Sequence, residues 1–245
     1  MIEDHIILLE HLGARRPLTS NAQAEPNDVL IDESSVEEFL LAASSACERT
    51  ELSDILHRAI KFTTDSGGGN LELSFISLYA ALESILTFFR RQDAFEILGP
   101  EEFGQLERDL RRWLKQYSLL KDESMKRGLI YEKIRELNRF PFSYVFKRFC
   151  ADYALDLSDL WPVVGSAEQW PLMEIRHRLV HGDPFINRPV EALTCAREHL
   201  RWTVERMLLS VLDWPVSRSN VSGDYLLRRF SRTYQEWPAE RAKFA

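Results

Sequence analysis

The chain has 245 residues and a formal net charge of −7, with 45% hydrophobic and 28% charged residues. This composition is typical of a soluble globular protein with a sizeable core, and the negative charge argues against nonspecific wrapping of nucleic acid. The three cysteines are far apart and form no CxxC pair, which argues against a disulfide framework or a zinc site and fits a reducing cytoplasm.

The charge is distributed unevenly along the chain. Residues 1–60 hold four basic and twelve acidic residues, whereas residues 107–148 hold twelve basic and six acidic residues. The middle of the chain can therefore present a positive face to a phosphate backbone, or it can form a solvated face of salt-bridged helices. The first residues lack the basic start of a signal peptide, so we expect a cytoplasmic protein.

The first third of the chain predicts an extension followed by two long helices. Residues 1–31 are interpreted as an N-terminal extension, and apolar residues at helical spacing predict a helix over about 34–60, bent near Thr50. The triple glycine at 67–69 predicts a turn between helices, because no Gly-Lys-Ser/Thr sequence follows it. A wide apolar stripe then predicts a central core helix over about 71–91.

Glu83 interrupts the apolar residues of this central helix. A buried carboxylate is costly unless it has a partner. Glu83 therefore either has a basic partner or lies at the edge of the stripe with its carboxylate in water.

The middle of the chain predicts more helices with a basic surface. Gly99-Pro100 precedes a predicted helix over about 103–117, and a basic, aromatic segment of about 40 residues follows. Interleaved aromatic and basic residues can stack and bind single-stranded RNA, or they can simply pack on a core. Residues 157–165 are predicted to be a loop around Trp161-Pro162.

The last third predicts a helix that ends at a glycine. Residues 167–181 form the predicted helix, with a buried stripe of Leu172, Ile175, Leu179 and Val180, Gly182 at its left-handed end and Pro184 preventing continuation. A long apolar helix then runs to Trp214. The remainder, 215–245, is interpreted as a basic tail with room for one short helix.

No strand-rich region is found in the sequence, so we predict an all-α fold. The main helical domain is predicted over 32–214, with an inserted helical segment at about 123–165.

Arg176 and His181 are the main candidates for chemistry. An arginine five residues before a histidine is common by chance, but here the pair straddles a predicted helix end and His177 adds a second polar group. Residues five apart point about 140° away from each other on a helix, so the two converge only if the helix unwinds at His181. An arginine that stabilises a phosphorane and a histidine that transfers protons suffice to cleave RNA without metal, because RNA supplies its own 2′-hydroxyl nucleophile.

Two short segments carry a resemblance to a known family. The segment Arg176–Gly182 resembles the R-polar-x3-H motif of HEPN domains, especially the Apea-like group, in which a glycine often follows. The segment Ala80–Glu83 is similar to the A(I/L)E helix of that group. The resemblance implies a helical bundle of four to five main helices, and many HEPN domains are metal-independent endoribonucleases that act as dimers.

The resemblance also implies roles for individual residues. Arg176 would bind and polarise the scissile phosphate, His181 would transfer protons, and His177 occupies a polar position where asparagine is more usual. Glu83 would hold Arg176 in place, and two copies of the motif would meet across a two-fold interface. Further arginines are candidates for RNA binding, namely Arg178, Arg111, Arg112 and Arg139.

We therefore expect a cytoplasmic, homodimeric endoribonuclease that cleaves single-stranded RNA or tRNA in a defence or toxin setting. It would need no metal and no cofactor, would not bind a membrane, and is open to control by a regulatory partner protein. The alternative is a non-catalytic HEPN-like module that binds a nucleotide or supports dimerisation. The simplest alternative is a helical domain in which the motif is only a helix end.

Overall fold

The computed structural model confirms the all-α class over the residues that it describes, which are 30–48, 53–65, 70–92, 96–182 and 190–244. Within these ranges no strand forms, and the isolated bridge is between Glu96 and Arg139. The α-helices of the described residues are α1 (Val36–Cys47), α2 (Ser53–Asp65), α3 (Leu71–Gln92), α4 (Pro100–Gln116), α5 (Ser124–Ile134), α6 (Phe142–Asp152), α7 (Leu172–His181), α8 (Val190–Val211), α9 (Gly223–Arg229) and α10 (Ser231–Ala242).

The single bent helix predicted over 34–60 is wrong, because the structure has two helices there, α1 and α2. Apolar periodicity does not register an interruption of a few residues, so it cannot separate one bent helix from two helices. Residues 49–52 between them lie outside the described residues, as do residues 1–29, the triple glycine and Pro184.

The chain divides into two compact units. The first unit comprises residues 1–88 and 149–245, and the second comprises residues 89–148. The second unit therefore starts before the insertion predicted over 123–165 and ends inside it, at residue 148.

The core of the first unit is formed largely by α3 and α8. The predicted apolar stripe of α3 is buried, as shown by Phe75, Leu78, Leu82 and Ile85. The helix α8 is more completely buried than α3, since 17 of its 22 residues are buried. By length and composition α3 could also cross a membrane, but half of its most apolar window is buried inside the protein.

Both ends of α7 are fixed by neighbouring backbone. At its start, the amides of Leu172 and Met173 donate to the carbonyls of Pro162 and Val163, at 2.9 and 3.1 Å. At its end, Gly182 adopts a left-handed conformation with φ +71° and its amide donates to a carbonyl one turn earlier. These contacts satisfy backbone groups that a helix terminus would otherwise leave unpaired.

The predicted loop around Trp161 is part of the core. Trp161 is 1% exposed, and its indole Nε1 donates to the carbonyl of Trp170 at 2.8 Å. This bond links the loop to the residue that precedes the turn into α7. The loop therefore supports the helix that carries the candidate motif.

The segment after residue 214 forms two helices, α9 and α10, where the sequence suggested room for one. The helix α10 packs along α8. Its aromatic residues reach the core of the first unit, as Trp237 lies 6.0 Å from Trp161 between ring centroids. Aromatic contacts therefore hold part of the segment that the sequence suggested to be a basic tail.

The thiols of this unit behave as core groups. Cys150 and Cys195 are both free, and burial raises their pKa values to about 11 and about 12. Both thiols therefore stay protonated near neutral pH, as expected for small core residues. The side chain of Cys47 lies outside the described part of the chain.

The second unit is built around the α4–α5 pair. The hydroxyl of Tyr131 donates to the carbonyl of Arg111 at 3.2 Å, and the Arg111 guanidinium lies 4.6 Å from the Tyr131 ring centroid. Asn138 is buried, and its side chain bonds the backbone of Leu98 in both directions, at 2.8 and 3.0 Å. These contacts link α5 to α4, and the segment after α5 to the residues just before α4.

Candidate functional site

The candidate motif lies on the last two turns of α7 and presents several side chains to solvent. His177 and His181 are exposed, and Val180 is 47% exposed. The prediction that Val180 is part of the buried stripe is therefore wrong. Leu172 and Ile175 are buried as predicted, whereas Leu179 is only partly buried and Val180 faces outward near the helix end.

Arg176 faces α3, where it meets the one acidic residue of the apolar stripe. Its Nη2 lies 3.5 Å from Oε1 of Glu83, and the side chains are 34% and 44% exposed. The Glu83 carboxylate therefore has a basic partner and also remains in contact with water, so both of the expected alternatives hold in part. The pair joins two distant parts of the sequence at one surface of the first unit.

Tyr79 completes this contact and was missed in the sequence. The Arg176 guanidinium lies 5.7 Å from the centroid of the Tyr79 ring, which is 2% exposed. Burial and, to a lesser extent, Glu83 raise the pKa of the Tyr79 hydroxyl, whereas Arg176 opposes that shift. Tyr79 precedes Glu83 by one helical turn, so the spacing on α3 is the signal that could have found it.

His177 and His181 come together on one side of α7. Their ring centroids are 4.4 Å apart and the ring planes are inclined by 55°. The helix continues through His181, so the unwinding needed to bring His181 towards Arg176 does not occur within this protomer. Within one chain, the motif is therefore an Arg176–Glu83 pair beside a separate histidine pair.

Arg178 lies on the same helix but is engaged by its own neighbours. Its Nε donates to Glu174 at 3.1 Å, and its guanidinium lies 4.5 Å from the Trp170 ring centroid. Any RNA contact by Arg178 would compete with this ion pair.

The other arginines predicted to bind RNA belong to the second unit. Arg111 donates to Glu107 at 2.6 Å, and Arg112 donates to Asp109 at 3.0 Å. Arg139 is exposed and bridges to Glu96 through its backbone. Two of the three therefore have carboxylate partners on α4, as expected for a solvated face of salt-bridged helices.

A second polar cluster, away from the motif, was not predicted from the sequence. Arg206 on α8 is buried and forms a bidentate pair with Asp159 at 2.6 and 2.7 Å. The hydroxyl of Tyr234 also donates to Asp159, at 2.5 Å. Burial alone would raise the pKa of Asp159, but the bonds from Arg206 and Tyr234 lower it overall.

The Arg206–Asp159 pair lines a cavity of about 610 Å³ in the first unit. The remaining Arg206 donors are also used, since Nε donates to the carbonyl of Val221 at 2.8 Å. Arg206 is therefore held by hydrogen bonds to other parts of its own chain. Its position on α8 gave no signal in the sequence, because this helix carries several other charged residues and the partners of Arg206 come from distant segments.

His199 lies beside this cluster, and its hydrogen bonds define its protonation. Its Nδ1 accepts from the amide of Trp161 at 3.1 Å, so Nε2 carries the proton and donates to the carbonyl of Thr233 at 2.9 Å. Burial lowers the pKa of His199 to about 4. This histidine is neutral near neutral pH and acts as a structural link between α8 and α10.

No known family model, curated protein or solved structure matches this chain. The resemblance to HEPN domains therefore rests on the Arg176–Gly182 segment and the Ala80–Glu83 segment alone. In the described residues no group of three or more histidine, cysteine or acidic side chains is placed to hold a metal ion.

Proposed function

We propose that this protein is a HEPN-like, metal-independent endoribonuclease in which two copies of the α7 motif form one site. The observation that carries the proposal is the contact between Arg176 and Glu83, at 3.5 Å, beside the exposed His177 and His181. The two segments that resemble the family are distant in sequence, and this contact brings them together. The permanent charge of an arginine suits it to bind a phosphate diester.

The chemistry uses the RNA as its own nucleophile. The 2′-hydroxyl attacks the adjacent phosphorus, a base accepts the hydroxyl proton, and the bond from phosphorus to the 5′-oxygen breaks as an acid protonates that oxygen. His181 supplies proton transfer, and a second copy of the motif supplies a second His181 for the other proton. Arg176 stabilises the charge that develops on the phosphorane.

The conformation of α7 supports the proposal of a two-chain site. Because α7 is helical through His181, Arg176 and His181 point in different directions within one chain. A second copy brings its own His181 to the first copy's Arg176 without unwinding either helix. Val180 is exposed beside His177 and offers a small apolar contact for such a two-fold interface.

The test is cleavage of single-stranded RNA and tRNA by the full chain in the presence of EDTA. We expect products with a 2′,3′-cyclic phosphate and a 5′-hydroxyl, and a loss of about a hundredfold or more for Arg176→Ala and for His181→Ala. Arg218→Ala is a matched control, because Arg218 is also part-exposed and pairs with a carboxylate, Glu38, at 2.6 Å. If wild type leaves these RNAs intact, or if both motif variants cut as well as wild type, the proposal is rejected.

A second candidate is a non-catalytic module that binds a nucleotide or supports dimerisation through the same surface. The internal pairing of Arg176 with Glu83 favours it, because an arginine with a partner in its own chain has less freedom to bind phosphate. Nucleotide binding or dimerisation that requires Arg176, without RNA cleavage, would support this candidate over the nuclease.

A further inference from the structure

We propose that His177 and His181 together chelate one divalent transition-metal ion, such as Zn²⁺, Ni²⁺ or Cu²⁺, and that the bound ion inhibits the motif. The geometry that carries this proposal is the pairing of two exposed imidazoles, 4.4 Å apart between centroids, on consecutive turns of one helix. Binding itself does not depend on the proposed nuclease activity, whereas the inhibitory consequence rests on it.

The spacing of the two histidines suits chelation. Residues four apart lie on the same face of a helix, and histidine pairs at this spacing bind zinc in metalloprotease helices. Imidazole nitrogens bind such ions at about 2.0–2.1 Å, so two nitrogens on one ion lie roughly 3–3.5 Å apart. Rings whose centroids are 4.4 Å apart reach this separation by small rotations of exposed side chains.

Both imidazoles are available for an ion. Within the described part of the chain, neither His177 nor His181 makes a hydrogen bond or an ion pair, and their rings contact each other. The nearest acidic residue along the same helix face, Glu174, is engaged by Arg178 at 3.1 Å. The protein therefore provides two nitrogen ligands, and water completes the coordination of the ion.

The chemistry of the two ligands selects the class of ion. Imidazole favours Zn²⁺, Ni²⁺ and Cu²⁺, whereas Mg²⁺ and Ca²⁺ prefer oxygen ligands. Metal binding requires a free ring nitrogen on each histidine, so an ion on His181 occupies the atom that would transfer a proton. The ion is therefore an inhibitor of the proposed reaction and not a participant in it.

The binding test is calorimetric titration of the full chain with ZnCl₂ and, separately, with NiCl₂. We expect saturable binding by wild type and a loss of at least about tenfold in affinity for His177→Ala and for His181→Ala, because each removes half of a chelate. His57→Ala is the matched control, since His57 is exposed on α2 and should leave the affinity unchanged. MgCl₂ should show no comparable binding.

A spectroscopic readout keeps the test independent of any effect on stability. Electron paramagnetic resonance of bound Cu²⁺ should show coupling to two imidazole nitrogens in wild type and to fewer in either single variant. Unchanged affinity and unchanged nitrogen coupling in both single variants would overturn the proposal. Far-UV circular dichroism of each variant checks that α7 and its neighbours remain folded.

The inhibition test compares RNA cleavage with and without ZnCl₂, each rate expressed relative to the same variant without metal. We expect Zn²⁺ to inhibit wild type and EDTA to restore the rate. The His177→Asn variant should need at least about tenfold more ZnCl₂ than wild type for the same fractional inhibition. Zinc binding with no detectable nuclease activity would reject the proposed function but leave the metal site standing. Nuclease activity with no zinc binding would reject the metal site and leave the proposed function standing.

Discussion

Nη2 of Arg176 lies 3.5 Å from Oε1 of Glu83, so the motif helix α7 is joined to the core helix α3 by one partly exposed ion pair. An ion pair of this exposure contributes at most about 1 kcal/mol to stability. In the proposed nuclease, the pair serves to orient the arginine rather than to stabilise the fold.

Glu83→Gln removes the charge that holds Arg176 but keeps a side chain of similar shape. We expect kcat for RNA cleavage to fall between about tenfold and a hundredfold, because a misplaced arginine stabilises the transition state less well. KM and the thermal midpoint should change little. Steady-state kinetics and thermal denaturation measure the two effects separately.

Two variants make this prediction specific to Glu83. Glu38→Gln removes the carboxylate from the Arg218 pair and should leave the rate unchanged. Glu83→Asp keeps the charge and should restore part of the lost rate. A Glu83→Gln protein that cleaves RNA as fast as wild type would rule out a positioning role.

Gly182→Ala should destabilise the protein by about 1 kcal/mol, because φ of +71° is unfavourable for a residue with a side chain. No atom of the described residues lies within 4 Å of the added methyl group. The expected cost therefore comes from the backbone. Urea denaturation followed by circular dichroism measures the change.

Gly128→Ala is the matched control for that prediction. Gly128 lies inside α5, and no other described residue comes within 4 Å of an added Cβ, but its backbone is helical. This substitution should stabilise the second unit by about 0.5–1 kcal/mol. The expected effects thus have opposite signs, and a Gly182→Ala protein as stable as wild type would contradict the assignment of a strained helix end.

Asp159→Asn should destabilise the first unit by about 3 kcal/mol, because it leaves the buried guanidinium of Arg206 without its counter-charge. Glu38→Gln, which breaks an exposed arginine pair at the same distance of 2.6 Å, should cost less than about 1 kcal/mol. Denaturation midpoints of the two variants give the comparison. Equal losses of stability in the two variants would show that burial of Arg206 does not determine how much its ion pair contributes to stability.

The stability of the first unit should fall as the pH is lowered from about 6.5 to about 4 because of His199. Burial lowers the pKa of His199 from 6.5 to about 4, so the unfolded chain takes up a proton in this window before the folded chain does. The loss reaches up to about 3 kcal/mol and is complete below the folded pKa. Asp159 and Arg206 lie near enough to affect this titration electrostatically.

The measurement is the free energy of unfolding across that pH range for wild type and for His199→Gln. Glutamine retains hydrogen-bonding groups but does not titrate, so the variant should lose less stability than wild type as the pH falls. If the two proteins have the same pH dependence, protonation of His199 does not control acid stability.

Local signals in the sequence predicted the features of the site that depend on neighbouring residues. The end of α7 follows from a glycine and a proline beyond an apolar helix, and Gly182 is left-handed as predicted. The exposure of Val180 was not predictable, because a helix of ten residues leaves the direction of its last turn open until its packing is known. The contact of Arg176 with Glu83 was expected only through the family resemblance.

Tertiary packing determines what the sequence could not indicate. Arg206 and His199 lie on α8 next to other charged residues, and their partners come from a loop and from α10. No spacing rule relates residues so far apart in the chain. The burial of Trp161 has the same origin, since a loop with tryptophan and proline gives no sign of the helices that cover it.

The link from His199 to α10 has a consequence for how this protein tolerates change. Its acceptor is the backbone carbonyl of Thr233, which every amino acid at that position would provide. Residue 233 is therefore free to vary in type without loss of the bond, while position 199 must keep a side chain with one donor and one acceptor. Covariation between related sequences would not detect this contact, although it joins two helices of the core.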